Sequence, residues 1–203
     1  MSRKRLAAMF MPLFITGAAF ASTPVSARPD TSPARPETSS ARSDTSEEAE
    51  LSEAFSVLHA VAQWGRNLSE MADERAKSEL VKDYARSIAT GNANVDAKLQ
   101  HVAKKNGIDV AALDPKTEDG KSLLDRMKAE KVLLGSLEGD AWDKEYMTLV
   151  TNTQQSVLNL LKANKARATR PEVKQFLGEL TTTVEKRLKK AQDIMAKVYG
   201  NEV

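Results

Sequence analysis

Arg75-Ala76-Lys77-Ser78-Glu79-Leu80-Val81-Lys82-Asp83-Tyr84 returns later in the chain as Arg167-Ala168-Thr169-Arg170-Pro171-Glu172-Val173-Lys174-Gln175-Phe176. Arg-Ala opens both copies and Val-Lys-x-aromatic closes both. Ile88 and Leu180 then match at the same offset of 92 positions. Helical periodicity flanks each copy, so each reads as the very short turn of an αα-hairpin. The sequence thus contains two hairpins, and the segment between them is too long for simple up-and-down wiring. Two hairpins joined by one long crossover make the ferritin-like variant of the four-helix bundle. A bundle of mixed connectivity is the alternative.

Working outward, the first hairpin begins with a helix expected over 47–76. Ser46 is its cap, and Glu47 and Glu48 sit on the positive end of its dipole. Its inward face is Leu51, Phe55, Leu58, Ala62, Gly65, Leu68 and Ala72. The second helix runs from Ser78 to about Asn106, with Val81, Tyr84, Ile88, Gly91, Val95, Leu99 and Val102 inward. Asn106-Gly107 stops it, because glycine takes the left-handed cap without strain. The crossover contains Asp114-Pro115 and then a short extra helix, about Asp119 to Leu137. A fourth long helix spans about Asp140–Lys165, with Asp140 as cap. Its apolar positions are Trp142, Tyr146, Leu149, Val157, Leu160 and Leu161, with Thr153 also inward. Thr169-Arg170-Pro171-Glu172 has capping-box spacing and starts the last helix, which ends near Tyr199.

Residues 1–27 read as a signal peptide. Arg3, Lys4 and Arg5 form its basic head, Leu6–Phe20 its apolar stretch, and cleavage follows Ala21 or Ala27. Residues 28–46 repeat Arg-Pro-Asp-Thr-Ser with period seven and no large apolar position, so they read as a disordered linker. The bundle domain is 47–203. The net charge is +2; without Arg3, Lys4 and Arg5 the balance is 27 basic against 28 acidic residues. Basicity therefore lies in the leader, and no basic stripe interleaved with aromatics points to nucleic acid. With no cysteine, thiolate metal sites, disulfides and a lipid anchor on an N-terminal cysteine are excluded. The expected place is outside the inner membrane: periplasmic, associated with the outer membrane, or secreted, with no spanning segment once the leader is removed.

Four landmarks recur in order: Arg75-Ala76-x-Ser78-x-Leu80-Val81-Lys82-x-Tyr84-Ala85, Ala103-Lys104-Lys105-Asn106-Gly107-Ile108, Trp142-Asp143-x-x-Tyr146-Met147, and Glu172-Val173-Lys174-x-Phe176. In these the chain resembles an uncharacterised bacterial family often labelled "predicted outer membrane protein", exported ferritin-like bundles, over about Phe55–Val198. The resemblance implies acid–His pairs in the middle of the second and fourth long helices, and a His on the last. The matching positions here are Gly91 and Asn92, Thr153 and Gln154, and Arg187, so each implied histidine is absent.

His59 and His101, the only two histidines, have no carboxylate at ligand spacing on their own helices and read as surface or boundary groups. No Glu-x-x-His occurs, so no metal and no cofactor are expected. Glu70, Asp73 and Glu74, with Arg66, Arg75 and Lys77, read as a salt-paired face. Lys186, Arg187, Lys189 and Lys190 read as a solvated basic face. Across the helix middles runs an uncharged polar belt of Gln63, Asn67, Thr90, Thr151 to Ser156 and Thr181 to Thr183. Its candidate ligand positions are Asn92, Thr153, Gln154 and Thr183; its bland reading is a layer of bonded hydroxyls and amides. The function expected is a non-enzymatic envelope bundle that binds an unidentified envelope protein or itself. The alternative is a metal-binding or metal-oxidising bundle with an atypical carboxylate site.

Overall fold

A computed structural model describes residues 39–114 and 118–200. The expected signal peptide and linker residues 28–38 lie outside them. The described residues form five helices and no strand: α1 (Ser39–Arg75), α2 (Glu79–Lys105), α3 (Glu118–Gly135), α4 (Gly139–Arg167) and α5 (Pro171–Tyr199). The chain is all-α. Boundaries of α2 to α5 fall within two residues of those expected. The start of α1 does not. Ser39–Ser46, assigned above to the linker, are helical, and Ser46 is no cap. No Pro or Gly stands between Pro36 and Ser46 to stop the helix running back.

α1 packs on α2 and α4 on α5, and the two pairs meet through α1–α4 and α2–α5. One apolar cluster joins Leu51, Phe55 and Leu58 to Leu99 and Val102, and to Leu158, Leu161, Val173, Phe176 and Leu177. The other joins Leu68 and Ala72 to Val81, Tyr84 and Ile88, and to Trp142, Tyr146, Met147, Ala191 and Ile194. The start of α1 thus lies beside the ends of α2 and α4 and the start of α5, so every packed pair is antiparallel. The crossover must carry the chain from one end of the bundle to the other, about 40 Å for helices of this length. Its first residues are tied to α1: Ser52 Oγ donates to Asp109 O at 2.6 Å, and Ala111 N donates to Ser56 Oγ at 3.0 Å. Met127 and Leu134 then seat α3, while Val132 and Leu133 remain exposed. Burial pushes the Glu130 carboxyl of α3 up against the pull of Arg126.

The duplication is visible in the turns. Ala76 N donates to Ala72 O and Ala168 N to Asn164 O, both at 2.9 Å; Lys82 N donates to Ser78 O and Lys174 N to Arg170 O, both at 3.0 Å. Val81, Tyr84 and Ile88 are buried, and so are Val173, Phe176 and Leu180. After α2, Gly107 takes φ +68° and Ile108 N donates to Ala103 O, as expected of a left-handed stop.

Two further expected caps differ. Arg170 rather than Thr169 precedes α5, with Pro171 in its first turn. Glu138 rather than Asp140 precedes α4, and Asp140 instead pairs with Lys77 at 2.7 Å. Ser78 precedes α2 but its hydroxyl makes no cap bond. The carboxylate comes from another helix: Asp143 of α4, fully buried, accepts Lys77 N at 2.9 Å and Ser78 N at 2.7 Å. An anion at a helix start satisfies free amides and the dipole together. The α4 stripe also sits one position from that expected. Asp143, Met147, Val150, Gln154, Leu158 and Leu161 are buried, while Leu149, Thr153, Val157 and Leu160 are half-buried. No described helix is long and apolar enough to cross a membrane.

Asp143→Ala removes the acceptor from two amides at a buried turn, and the expected loss is about 3 kcal/mol. Asp143→Asn keeps one acceptor and should lose less. Urea midpoints test this, and equal midpoints for all three proteins would refute the cap. Burial raises the Tyr146 hydroxyl from 10.0 to about 12, although Ser69, at 3.0 Å, pulls the other way. The unfolded chain ionises first, so stability present below pH 10 should fall as pH rises towards 12. Tyr146→Phe should flatten that fall, which alkaline urea titrations would show.

Candidate functional site

The two apolar clusters meet at a middle level of the bundle, its waist. There Leu58, Ala62 and Gly65 of α1, Asn92 and Val95 of α2, Thr153, Gln154 and Val157 of α4, and Val184 and Arg187 of α5 surround a cavity of about 60 Å³. That volume holds a few waters or one small ion. The lining follows the duplication. Leu58 matches Val150, Val61 matches Thr153, Ala62 matches Gln154, Gly65 matches Val157, Asn92 matches Val184, and Val95 matches Arg187, each 92 positions apart. The cavity therefore lies between the two copies. Its polarity is lopsided, because Thr153, Gln154 and Arg187 come from the second hairpin, while the first supplies Asn92 and the indole of Trp64.

Arg187 was read above as part of a solvated basic face. It turns inward instead, and Nη1 donates to Asn92 Oδ1 at 2.8 Å. The guanidinium has room because two neighbours lack a side chain. A Cβ on Gly91 would lie 2.0 Å from Nη2, and a Cβ on Gly65 would lie 2.6 Å from Asn92 Nδ2. Burial lowers the Arg187 pKa, only partly opposed by Tyr84. Among the described residues no carboxylate pairs with Arg187; its one side-chain partner is the neutral Asn92 amide. Tyr84 fixes the helix beneath by donating to Arg187 O at 3.2 Å.

Of the four candidate belt residues, Asn92, Thr153 and Gln154 meet at this cavity, and Asn92 and Gln154 are only 9% and 8% exposed. Thr183 does not line it; its hydroxyl donates to Glu179 O at 3.0 Å. Ser69, Ser156, Thr181 and Thr182 likewise bond the carbonyl one turn back. Gln63, Asn67 and Thr90 are exposed. Of the salt-paired α1 face expected, Arg66–Glu70 is present at 2.8 Å, whereas Asp73 pairs with Arg86 of α2 at 2.6 Å, Arg75 donates to Leu137 O and Lys77 pairs with Asp140.

Single-helix spacing missed two things. His59 has a carboxylate after all, from the neighbouring helix. Its Nδ1 lies 2.5 Å from Asp96 Oδ1, and Gln63 Nε2 lies 3.0 Å from its Nε2. A neutral ring donating from Nδ1 and accepting at Nε2 satisfies both contacts. These groups border an outer polar groove between α1 and α2, of about 290 Å³, lined by Ala62, Gln63, Arg66, Asn67, Asn92, Ala93 and Asp96. Asn92 and Ala62 belong to both spaces and form the wall between them. Asp143 was missed too, because its partners are backbone amides far away in sequence. Among the described residues no three His, Asp or Glu side chains cluster as a metal site.

Residues 35–194 match the family described as "Domain of unknown function (DUF4142)", and the chain belongs to that family. No curated protein matches the sequence significantly. Solved structures that share the fold include these two. One is a protein described as secreted, DUF305, from Streptomyces coelicolor, at 20% identity and TM-score 0.59, covering 74% of this chain and 93% of that one. The other is CopM in an Ag-bound form, at 15% identity and TM-score 0.57, covering 74% of this chain and 98% of that one.

A double-mutant cycle tests the waist. Asn92→Leu leaves the guanidinium without its partner and should cost about 2 kcal/mol; Arg187→Met leaves Asn92 without its donor and should cost less. The double variant should be more stable than the sum of the two losses predicts. Additive losses in urea would mean that the two side chains do not act as a pair.

Proposed function

We propose that this chain is an exported, non-enzymatic helical bundle of the bacterial cell envelope, ferritin-like in its wiring, that acts by binding at a cationic interior waist. The Pro/Thr/Ser-rich segment behind a leader-like N-terminus supports export. Antiparallel neighbours with an end-to-end crossover support the ferritin-like wiring. One observation carries the binding role: Arg187, a permanent cation, lines the cavity half-buried, with only an amide for a protein partner among the described residues. A guanidinium exchanges no proton near neutral pH, and the amides and hydroxyl beside it do not either. The waist is therefore equipped to hold a ligand rather than to transform one.

The same cation weighs against metal at the waist. Asn92, Thr153 and Gln154 are neutral donors of weak affinity, and Arg187 repels a divalent ion placed among them. The Ag-bound form of CopM motivates the competing reading of a metal-binding bundle, through likeness of fold.

Incubation with Ag(I), Zn(II), Mn(II) and Fe(II), followed by desalting, should leave well under one equivalent of each metal. A resident site would raise stability by about 2.7 kcal/mol at a hundred times its Kd. No such shift is expected, and stoichiometric metal with raised stability would replace this reading by the metal-binding one.

A further inference from the structure

We infer that the waist cavity is a binding site for a small carboxylate of formate or acetate size, held by the Arg187 guanidinium and reached past Asn92 from the α1–α2 groove. The inference rests on the binding role above and names its ligand class.

Among the described residues, Arg187 carries donors that no protein group accepts. Arg187 has five N–H groups in a planar fork, and the structure gives its side chain one acceptor, Asn92 Oδ1 at 2.8 Å. Nη2 and Nε have no protein acceptor among the described residues; they lie beside Gly91 at the half-buried rim of the cavity, open to solvent. A carboxylate matches this fork with two parallel charge-assisted bonds. It also supplies the negative charge that the cavity walls lack. The remaining polar groups suit the same ligand: Gln154, almost wholly buried, and Thr153 each offer a donor to a carboxylate oxygen. Elsewhere the lining is apolar, which fits a methyl group or hydrogen on the carboxylate carbon. The volume, about 60 Å³, excludes larger acids unless side chains move.

The access route follows from Asn92. Its carbonyl faces Arg187 and its amide faces Gly65, where no side chain blocks it. On the far side lies the outer groove, in which the lining carboxylate Asp96 is engaged by His59 and Gln100. A turn of the Asn92 side chain therefore opens the cavity to a groove whose own acid is already engaged.

The test is an amide NMR titration of the intact 15N-labelled protein with sodium acetate, at constant ionic strength in buffer free of other small acids. The expected result is one saturable set of shifts centred on Gly91, Asn92, Gln154 and Arg187. Arg187→Gln, which keeps a donor to Asn92, should weaken binding about tenfold or more. Gly91→Ala keeps the charge but puts a methyl where Nη2 lies, and it should also weaken binding. It serves if Arg187→Gln fails to fold. Shifts that do not saturate, that scatter over surface lysines, or that persist unchanged in a folded variant would overturn the site. Chloride binding as tightly as acetate would overturn the assignment to a carboxylate. Metal uptake is read separately, so failure here leaves the outcome of the metal experiment standing on its own.

Discussion

The two hairpins are fastened by one buried carboxylate. Asp143 reaches from the first turns of α4 to the amides of Lys77 and Ser78, which open α2. Each hairpin has its own local logic of short turn, aromatic and apolar stripe. Nothing local says how one hairpin sits on the other. Asp143 does, because a fully buried anion tolerates little displacement from the amides that satisfy it. Its neighbours hold it there. Trp142 stacks on Tyr146 at 5.3 Å, and Tyr146 in turn meets Ser69 of α1 at 3.0 Å. Arg75, at the end of α1, donates to Leu137 O at 2.9 Å and brings the end of the crossover to the same corner. The motif Trp-Asp-x-x-Tyr-Met is thus a joint: it fixes the end of the bundle where the crossover returns.

At the opposite end the joint is lighter and uses cations. Arg170 donates to Asn106 O at 2.5 Å, and Lys105 pairs with Glu172 at 3.0 Å. Lys105 holds the exposed Glu172 carboxyl below its usual range, but an exposed pair of this kind contributes little. The duplicated turns share their backbone bonds and differ in what clamps them: a buried acid at one, surface pairs at the other. The sequence copies therefore preserve the hairpin geometry, while the contacts that set one hairpin against its mate have diverged.

The sequence showed the helices, the hairpin pairing and the crossover, because these follow from 3.6-residue periodicity and from short turns flanked by matching motifs. Its misses share a cause. Ser46 was read as a start because a hydroxyl before two acids is a good cap, yet nothing upstream forced a stop. The α4 stripe was placed one position off because Trp142 and Tyr146 fit either stripe, and the buried Asp143 and Gln154 look like surface residues to a hydropathy pattern. Arg187 sat among lysines and was read with them. His59 was judged by its own helix, though its carboxylate lies on the next. In each case a polar group is satisfied by a partner distant in sequence, and periodicity within one helix cannot see that partner. The positions that the resemblance in motifs singled out on α2, α4 and α5 meet at or beside one cavity.

Keeping Arg187 half-buried has a physical cost that apolar packing would avoid. Val95, its counterpart in the first hairpin, shows that the same position works with a partly buried apolar side chain. A charge used only to fix register would be expected to have its hydrogen bonds filled by the protein, as Asp143 has two backbone amides at a helix start. Arg187 finds an amide oxygen and space. The vacant donors are held in place by two glycines and one asparagine, an arrangement that helps packing less than side chains there would. A cation held with donors to spare, beside a cavity and behind a side chain that can turn, is better suited to receiving an anion than to bracing helices.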